Sequence, residues 1–451
     1  MRPMNLLIYN TTIFSNDHQN SILKNHAIAI KDTRIVEVGS EPILKEKYSH
    51  FTHLDGQGRL LMPGFVNTHM HFYSTFARGI SLIKQPRNFS EILSFLWWKL
   101  DSSLDEEAVY FSALIPGITA VKKGVTAFID HHASPNFVDG SLDQIEAALS
   151  EVGLRASLCY EVSDRNGKQI AQRGIAENER FIKKCREVKE KNSDHLFDGM
   201  VGLHASFTLR DNTLEQAADL SRSLSRSCHI HVLEDPVDAK KTQEQFKTGV
   251  VDRLNRFGIL DKNSIAAHCI HLSGHEKSLL AESGGIVAHN PQSNMNNAVG
   301  RSDIFGLMES GLLVGLGTDG MSADLRPDIR TAMWLHKHDL KDSNVAWNEV
   351  QQMVLKNNPE IFRKVTGQKI GRIKTGFLAD LILVDYFPAT PLTPENFWGH
   401  FLFGIADAEI DTTIINARIV MQNKQLAEID EKEIAAKALP VAEKVWKRFY
   451  S

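Results

Sequence analysis

The chain has 451 residues, 42% hydrophobic and 24% charged, with a formal net charge of -4 at pH 7. That length suits two or three domains with a large core, and a mildly acidic chain without a basic stripe argues against nucleic acid as a partner. No apolar run approaches a membrane span, and Leu6-Leu7-Ile8-Tyr9 is too short for a signal peptide, so a cytoplasmic protein with no membrane partner is expected.

Residues 4–58 alternate in short strand-like runs with turns: Asn5–Tyr9, Ala27–Ile30 and Arg34–Gly39. Residues 378–421 do the same, with Leu378–Asp385 and Thr412–Val420. Neither end has enough strands for a core of its own, because isolated hairpins are marginal. Pairing both ends into one small β-sandwich resolves this. The expected division is 1–58 for the first part of the sandwich, 59–365 for an inserted domain, and 366–451 for the rest with a C-terminal helix.

Between the ends, strand-like runs occur near 64–69, 124–131, 155–161, 200–205, 228–233, 264–269, 285–289 and 313–319. Helical patterns separate many of them: Ser141 is placed to cap a helix ending at Gly153, Asp105-Glu106-Glu107 opens one ending at Gly124, and Ser302 caps another ending near Gly311. Strand alternating with helix about eight times predicts an α/β fold, a (β/α)8 TIM barrel. Cys159, Cys228 and Cys269 fall in strand-like runs and Cys185 in the helix-like stretch 176–190. Without CxxC spacing they read as buried, reduced thiols.

Polar residues end several of these runs. His69 and His71 follow Leu60–Val66, and alternate strand residues share a face, so both imidazoles project to one side. His231 and Glu234 form an HxxE after a second run, His268 ends a third, and Asp319 ends Leu312–Thr318. The C-terminal ends of barrel strands carry the active site in this architecture.

Other candidates follow the same strands. His204 ends the fourth, where substrate contact and a structural role weigh equally. His131 and His132 end the second, and period-two facing lets only one point inward; His132 is carried as the tentative substrate contact. Glu161, Asp164 and Arg165 follow the third, where Arg165 could read a carboxylate or carbonyl oxygen. His229 shares a face with His231 but lies deeper and reads as packing. Trp97 and Trp98 read as core or dimer contact. His18, His26, His50 and His53 fall in the expected sandwich.

Gly315-Leu316-Gly317-Thr318-Asp319-Gly320 matches GxGxxG, but its aspartate lies inside the motif and a turn with Pro327 follows, against a dinucleotide site. There is no HExxH, GxSxG or PCxxC.

Taken together, these motifs resemble the amidohydrolase superfamily in its mononuclear aminohydrolase branch, nearly end to end. The resemblance rests on Pro63–His71, the HxxE at His231 and Glu234, His268, His289–Asn294, Gly317-Thr318-Asp319 and Lys374–Leu381. Three further stretches, Leu96–Asp101, Ile129–Pro135 and Ser163–Gly167, are most similar to the aminohydrolases called SsnA. The resemblance implies one divalent metal held by His69, His71, His231 and Asp319, Zn2+ by ligand type with Fe2+ as the other candidate. It implies that Asp319 orients and deprotonates water, Glu234 protonates a ring nitrogen and His268 hydrogen-bonds the attacking oxygen. Asn294 resembles a family residue near the metal and is carried as a tentative substrate contact with His204, His132 and Arg165. Binuclear members use a lysine on the fourth strand; here Gly199–Ser206 has none, which favours one metal. The implied reaction is hydrolytic deamination of an aminated heterocycle, a purine-like ring being one candidate. The alternatives are hydrolysis of another exocyclic group, as in a chlorohydrolase, or a metal-binding protein without turnover. A small-molecule substrate and a homodimer are the expected partners.

Overall fold

A computed structural model describes residues 5–451. Its centre is a run of parallel strands: Phe65–Met70, Val125–His132, Arg155–Tyr160, Phe197–Gly199 continuing past Met200 as Val201–Ala205, Cys228–Val232, Ile265–His268, Ile286–His289 and Leu313–Leu316. These are barrel strands 1 to 8 below. Each pairs in parallel with the next. A bridge from Val162 to Leu203 joins the third and fourth, and one from Met70 to Asp319 joins the first to the segment after the eighth. The ring therefore returns to its start, and the α/β barrel expected from the alternation is the fold.

Nearly every strand residue is buried. Strands covered on both faces read as continuous apolar runs, which is why period two fades in this stretch. The intervening helices keep their 3.6 period. In Asp211–Leu224, Leu214, Ala217, Ala218, Ser221 and Leu224 form the buried stripe.

Two helix starts differ from expectation. Helix Ser141–Val152 takes Gly140 as its cap, so Ser141 is its first residue. Helix Ile304–Glu309 is capped by Asp303, which accepts from the Gly306 N–H, while the Ser302 hydroxyl donates to the Cys269 carbonyl. Asp105 does cap Glu106–Lys122, accepting from the Ala108 N–H at 3.0 Å. All four cysteines are free and buried; Cys269 falls just after its strand instead of within it.

Both chain ends meet in one nine-stranded mixed sheet. The join is Leu60–Pro63, antiparallel to Leu381–Val384. By its pairing, the run before the HxH motif thus belongs to the terminal sheet, and Gly64 marks the passage into the barrel. One core cluster draws Leu6, Ile8, Ile28 and Ile30 from one end together with Leu381, Leu383 and Ile414 from the other. His18, His26, His50 and His53 all lie within this terminal region, outside the barrel.

A buried ion pair ties sheet to barrel. Arg155, fully buried at the start of barrel strand 3, donates through Nε to Asp380 Oδ2 at 2.8 Å and through Nη2 to Oδ1 at 3.2 Å. Its remaining donors reach Gln368 and Asn416. The C-terminal helix Glu431–Tyr450 packs on Glu106–Lys122. Among the described residues no helix is long and apolar enough to cross a membrane.

Candidate active site

The strand ends bring together His69 and His71 from strand 1, His131 from strand 2, Glu161 after strand 3, His204 from strand 4, His231 and Glu234 around the end of strand 5, His268 from strand 6 and Asp319 after strand 8. All are buried. His268 and Asp319 have φ of 72° and 54°, and Leu233, beside Glu234, has φ of 50°. Left-handed backbone at non-glycine residues is costly, and here it turns these side chains inward at the strand ends.

Hydrogen bonds settle which nitrogen of each imidazole faces the centre. His71 Nδ1–H donates to the His131 carbonyl at 2.5 Å, and His231 Nδ1–H to the His204 carbonyl at 2.9 Å. The two Nε2 atoms therefore face each other across 3.1 Å. Asp319 Oδ1 lies 3.1 Å from His71 Nε2 and 3.6 Å from His69 Nε2. His69 Nδ1 is 2.8 Å from His229 Nε2, and its buried Nε2 has no hydrogen-bond partner.

Such an arrangement draws positive charge. Burial works against a charged His71, but the hydrogen bond and charge of Asp319 push it up to about 9. Burial pushes His69 down to about 3 and, with the neighbouring imidazoles, His231 well below its usual range. Burial also opposes the Asp319 anion, yet its two histidine contacts hold its carboxyl well below the usual carboxylate range. Converging ring nitrogens, a carboxylate held below its usual range and carbonyl-anchored imidazoles fit a divalent cation, which would take the place of the proton on His71, because metal-bound histidines commonly donate their second N–H to a carbonyl. Ligand atoms of His69, His231, His268 and Asp319 lie within 4.8 Å of one another, as do those of His71, His131, Glu161 and His231.

Glu234 and His268 flank this centre. His268 Nε2 is 3.6 Å from Glu234 Oε2 and 3.7 Å from Asp319 Oδ2. Burial and the charge of Asp319 push the Glu234 carboxyl well above its ordinary value. The two carboxyls are thus driven in opposite directions, Glu234 toward the protonated form and Asp319 toward the ionised one.

The substrate candidates separate. His204 lines the cleft. Arg165 does not; it pairs with buried Asp101 and packs over Trp98 with its guanidinium carbon 5.4 Å from the ring centroid. His131 is the inward member of its pair, with ring centroids 4.7–5.8 Å from those of His69, His71, His229 and His231. His132 points the other way, to the Ser134 hydroxyl at 2.9 Å, because strand alternation sends neighbours to opposite faces. Asn294 stands behind His268, accepting from its Nδ1–H at 2.8 Å; a residue one layer back positions the histidine and leaves the cleft to others. Asp164 is turned from the cleft as well, accepting from the Arg210 N–H.

Other cleft residues were read from sequence as core or dimer contact, as Trp97 and Trp98 were, or carried no reading. Trp97, Trp98, Tyr73 and Phe207 form aromatic walls of a cleft of about 690 Å³, open mouth included. Trp97 ends a π-helical turn, Leu93–Trp97, a local irregularity common at functional sites and invisible to a 3.6-residue search. The Ser293 hydroxyl donates to Asp319 Oδ2, and Asn297 approaches Glu234 Oε1 at 3.4 Å. Ser293 lies inside the His289–Asn294 motif, and that motif was the available signal.

Comparison with known proteins adds to this geometry. Residues 60–420 match the model of the amidohydrolase family. The chain is 30% identical over 452 residues to a 5'-deoxyadenosine deaminase of Methanosarcina mazei, covering 99% of each chain. Its fold is similar to that of a zinc-bound adenosine deaminase from Xanthomonas campestris, with a TM-score of 0.82, 21% identity and 99% of each chain covered. It is also similar to a zinc-complexed atrazine chlorohydrolase from Arthrobacter aurescens, with a TM-score of 0.80, 18% identity and coverage of 97% of this chain and 100% of that one.

Proposed function

The chain belongs to the amidohydrolase family, and on that premise we propose that it is a metal-dependent aminohydrolase. It replaces an exocyclic amino group of a heterocycle with oxygen from water and releases ammonia. The observation that carries this reading is the grouping of Glu234, His268 and Asp319 around one point, with His268 Nε2 within 3.6–3.7 Å of both carboxylates. A relative aligned along almost its whole length deaminates 5'-deoxyadenosine, which favours a purine-like ring.

His69, His71, His231 and Asp319 would hold one divalent ion, zinc by ligand type with ferrous iron as the alternative. The facing Nε2 atoms of His71 and His231 and the unpartnered Nε2 of His69 support this set. When bound, such an ion lowers the pKa of a water to about 7. Asp319, kept ionised, accepts the proton that water gives up as its oxygen bonds to the amino-bearing carbon. Glu234, kept protonated, delivers its proton to a ring nitrogen and makes that carbon electrophilic. His268, oriented by Asn294, hydrogen-bonds the incoming oxygen. Breaking the carbon–nitrogen bond then needs a proton on the leaving amine, and Asp319 holds the one taken from water. The hydroxyl left on the carbon returns its proton to Glu234, which yields the carbonyl and restores the acid.

The test is ammonia release by zinc-loaded protein across aminopurines, aminopyrimidines, pterins and adenosine derivatives, 5'-deoxyadenosine among them. Glu234→Gln runs beside it and should lower the rate about 10²–10⁴-fold. Ammonia release that Glu234→Gln leaves unchanged, or silence across the panel from protein that holds metal, would overturn the reading. A chlorotriazine in the same panel, assayed for chloride, tests the alternative leaving group.

A further inference from the structure

Away from the proton-transfer groups, the cleft presents acceptors with nothing to accept from. The Thr208 hydroxyl donates to the Ala205 carbonyl at 2.9 Å, so its only hydrogen is committed. Its oxygen must then accept from His204 Nδ1–H, 2.7 Å away. With its proton on Nδ1, the neutral ring of His204 turns a bare Nε2 lone pair into the cleft. Glu161 Oε2 stands 3.2 Å from His131 Nδ1, while Oε1 stands 3.8 Å from His204 Nε2. Neither of those two atoms has a hydrogen-bond partner among the described residues, although Glu161 and His204 are only 5% and 7% exposed. Both residues line the open cleft, where a donor on a bound molecule can reach them.

We propose that Glu161 and His204 form a paired acceptor that binds a second nitrogen donor of the substrate, so that the preferred heterocycles carry an amino, amidine or protonated nitrogen besides the amino group removed, and no anionic group. This rests on the aminohydrolase reading of the same cleft.

Three features select that chemistry. A single nitrogen with two hydrogens can sit about 3 Å from both acceptors, whereas a hydroxyl has one hydrogen and leaves one acceptor unmet. The cleft wall carries the carboxyls of Glu161, Glu234, Asp238 and Asp319 and no lysine or arginine. Arg165, the nearby cation, is already spent on Asp101 and Trp98. A phosphate or carboxylate would therefore find no cationic side chain to pair with and would meet the Glu161 carboxylate, whereas a donor-rich or cationic ring is matched at that end of the cleft. Trp97 and Trp98 supply the flat apolar surface such a ring needs.

The experiment is calorimetric binding to zinc-loaded, full-length protein carrying Glu234→Gln, which keeps ligands intact. The probes are pairs differing by one amino group, adenine with 2,6-diaminopurine and 4-aminopyrimidine with 2,4-diaminopyrimidine. Hydroxyl analogues of the diamino compounds are included, as are adenosine and its 5'-monophosphate. In at least one pair the diamino member should bind about ten- to a hundredfold more tightly, the range for a hydrogen bond to a charged group. Adding Glu161→Gln, which removes the charge and offers an N–H in place of an acceptor, should shrink that advantage to about threefold or less. Equal binding within each pair, hydroxyl analogues as tight as diamino ones, or a monophosphate as tight as adenosine would overturn the proposal. If Glu161→Gln fails to fold, the pairs measured with Glu161 in place still decide. Ammonia release without this preference would overturn the paired acceptor alone; the preference without ammonia release would overturn the aminohydrolase reading alone.

Discussion

Asp380→Ala should destabilise the protein more than any change at an exposed ion pair. Arg155 is fully buried and Asp380 is 2% exposed, and their two charge-assisted bonds measure 2.8 and 3.2 Å. The same carboxylate accepts the Asn416 N–H at 2.8 Å. Removing it strands a guanidinium in the interior and leaves one backbone donor unmet. Breaking one side of a buried pair costs about 3–5 kcal/mol, and the unmet N–H brings the expected loss to the upper end of that range or slightly beyond. Surface pairs such as Lys437–Glu433, with both side chains 59% exposed, should lose far less on truncation, because water screens both charges. The assay is denaturant unfolding followed by far-ultraviolet circular dichroism and tryptophan fluorescence together, so that separate loosening of the terminal sheet would show as divergent transitions. The double variant Arg155→Met, Asp380→Leu should recover much of the loss, because both charges then leave the interior together. A single Asp380→Ala within about 1 kcal/mol of the unaltered protein would refute the reasoning, by showing that water or a rearranged partner satisfies Arg155.

At the site, Asn294→Leu should leave His268 Nδ1–H unpaired and lower kcat/KM for ammonia release about five- to 150-fold, equivalent to 1–3 kcal/mol. Asn294→Asp should restore the bond and move the pH–rate profile upward, by stabilising the charged ring that burial now disfavours; an unmoved profile would deny the positioning role. Gly317→Ala puts a methyl group 2.5 Å from Asn290 Oδ1 and 2.8 Å from the His69 carbonyl. It should displace His69 and weaken zinc retention about tenfold or more, read as the metal-to-protein ratio after dialysis against chelator. Burial pushes the Asp130 carboxyl up to about 7, against hydrogen bonds from backbone N–H groups. Between about pH 4 and 7 the unfolded chain has released this proton while the folded chain keeps it, so the group makes stability fall as pH rises. The Tm advantage of Asp130→Asn should accordingly grow from pH 4 to pH 7, and a constant difference would refute the assignment.

How far the site could be read before folding depended on where each residue sits relative to a strand. His69, His71, His231, His268 and Asp319 each terminate an apolar run, so their convergence followed from barrel geometry before any coordinate was known. The alternation that announced them also said that only one of His131 and His132 faces inward, but period two has no sign. The hydrogen bond from His132 to Ser134 decides it. Trp97 and Trp98 looked like core because they lie in an apolar stretch, and the π-helical turn that ends at Trp97, just before Trp98, leaves no periodic trace.

What the sequence alone determined is the local and the repetitive: strand and helix alternation, the polar residue at each strand end, and the pairing of two ends that cannot form a core separately. These follow from backbone periodicity and from the need to bury apolar faces, both of which act over a few residues. Tertiary structure alone decided which atoms face the cleft. Asn294 behind His268, Arg165 drawn away by Asp101, and the bare Nε2 of His204 beside Glu161 all depend on partners from 4 to 64 positions away in the chain. Hydrogen bonding and charge pairing act through space, so no spacing rule along the chain could have supplied them.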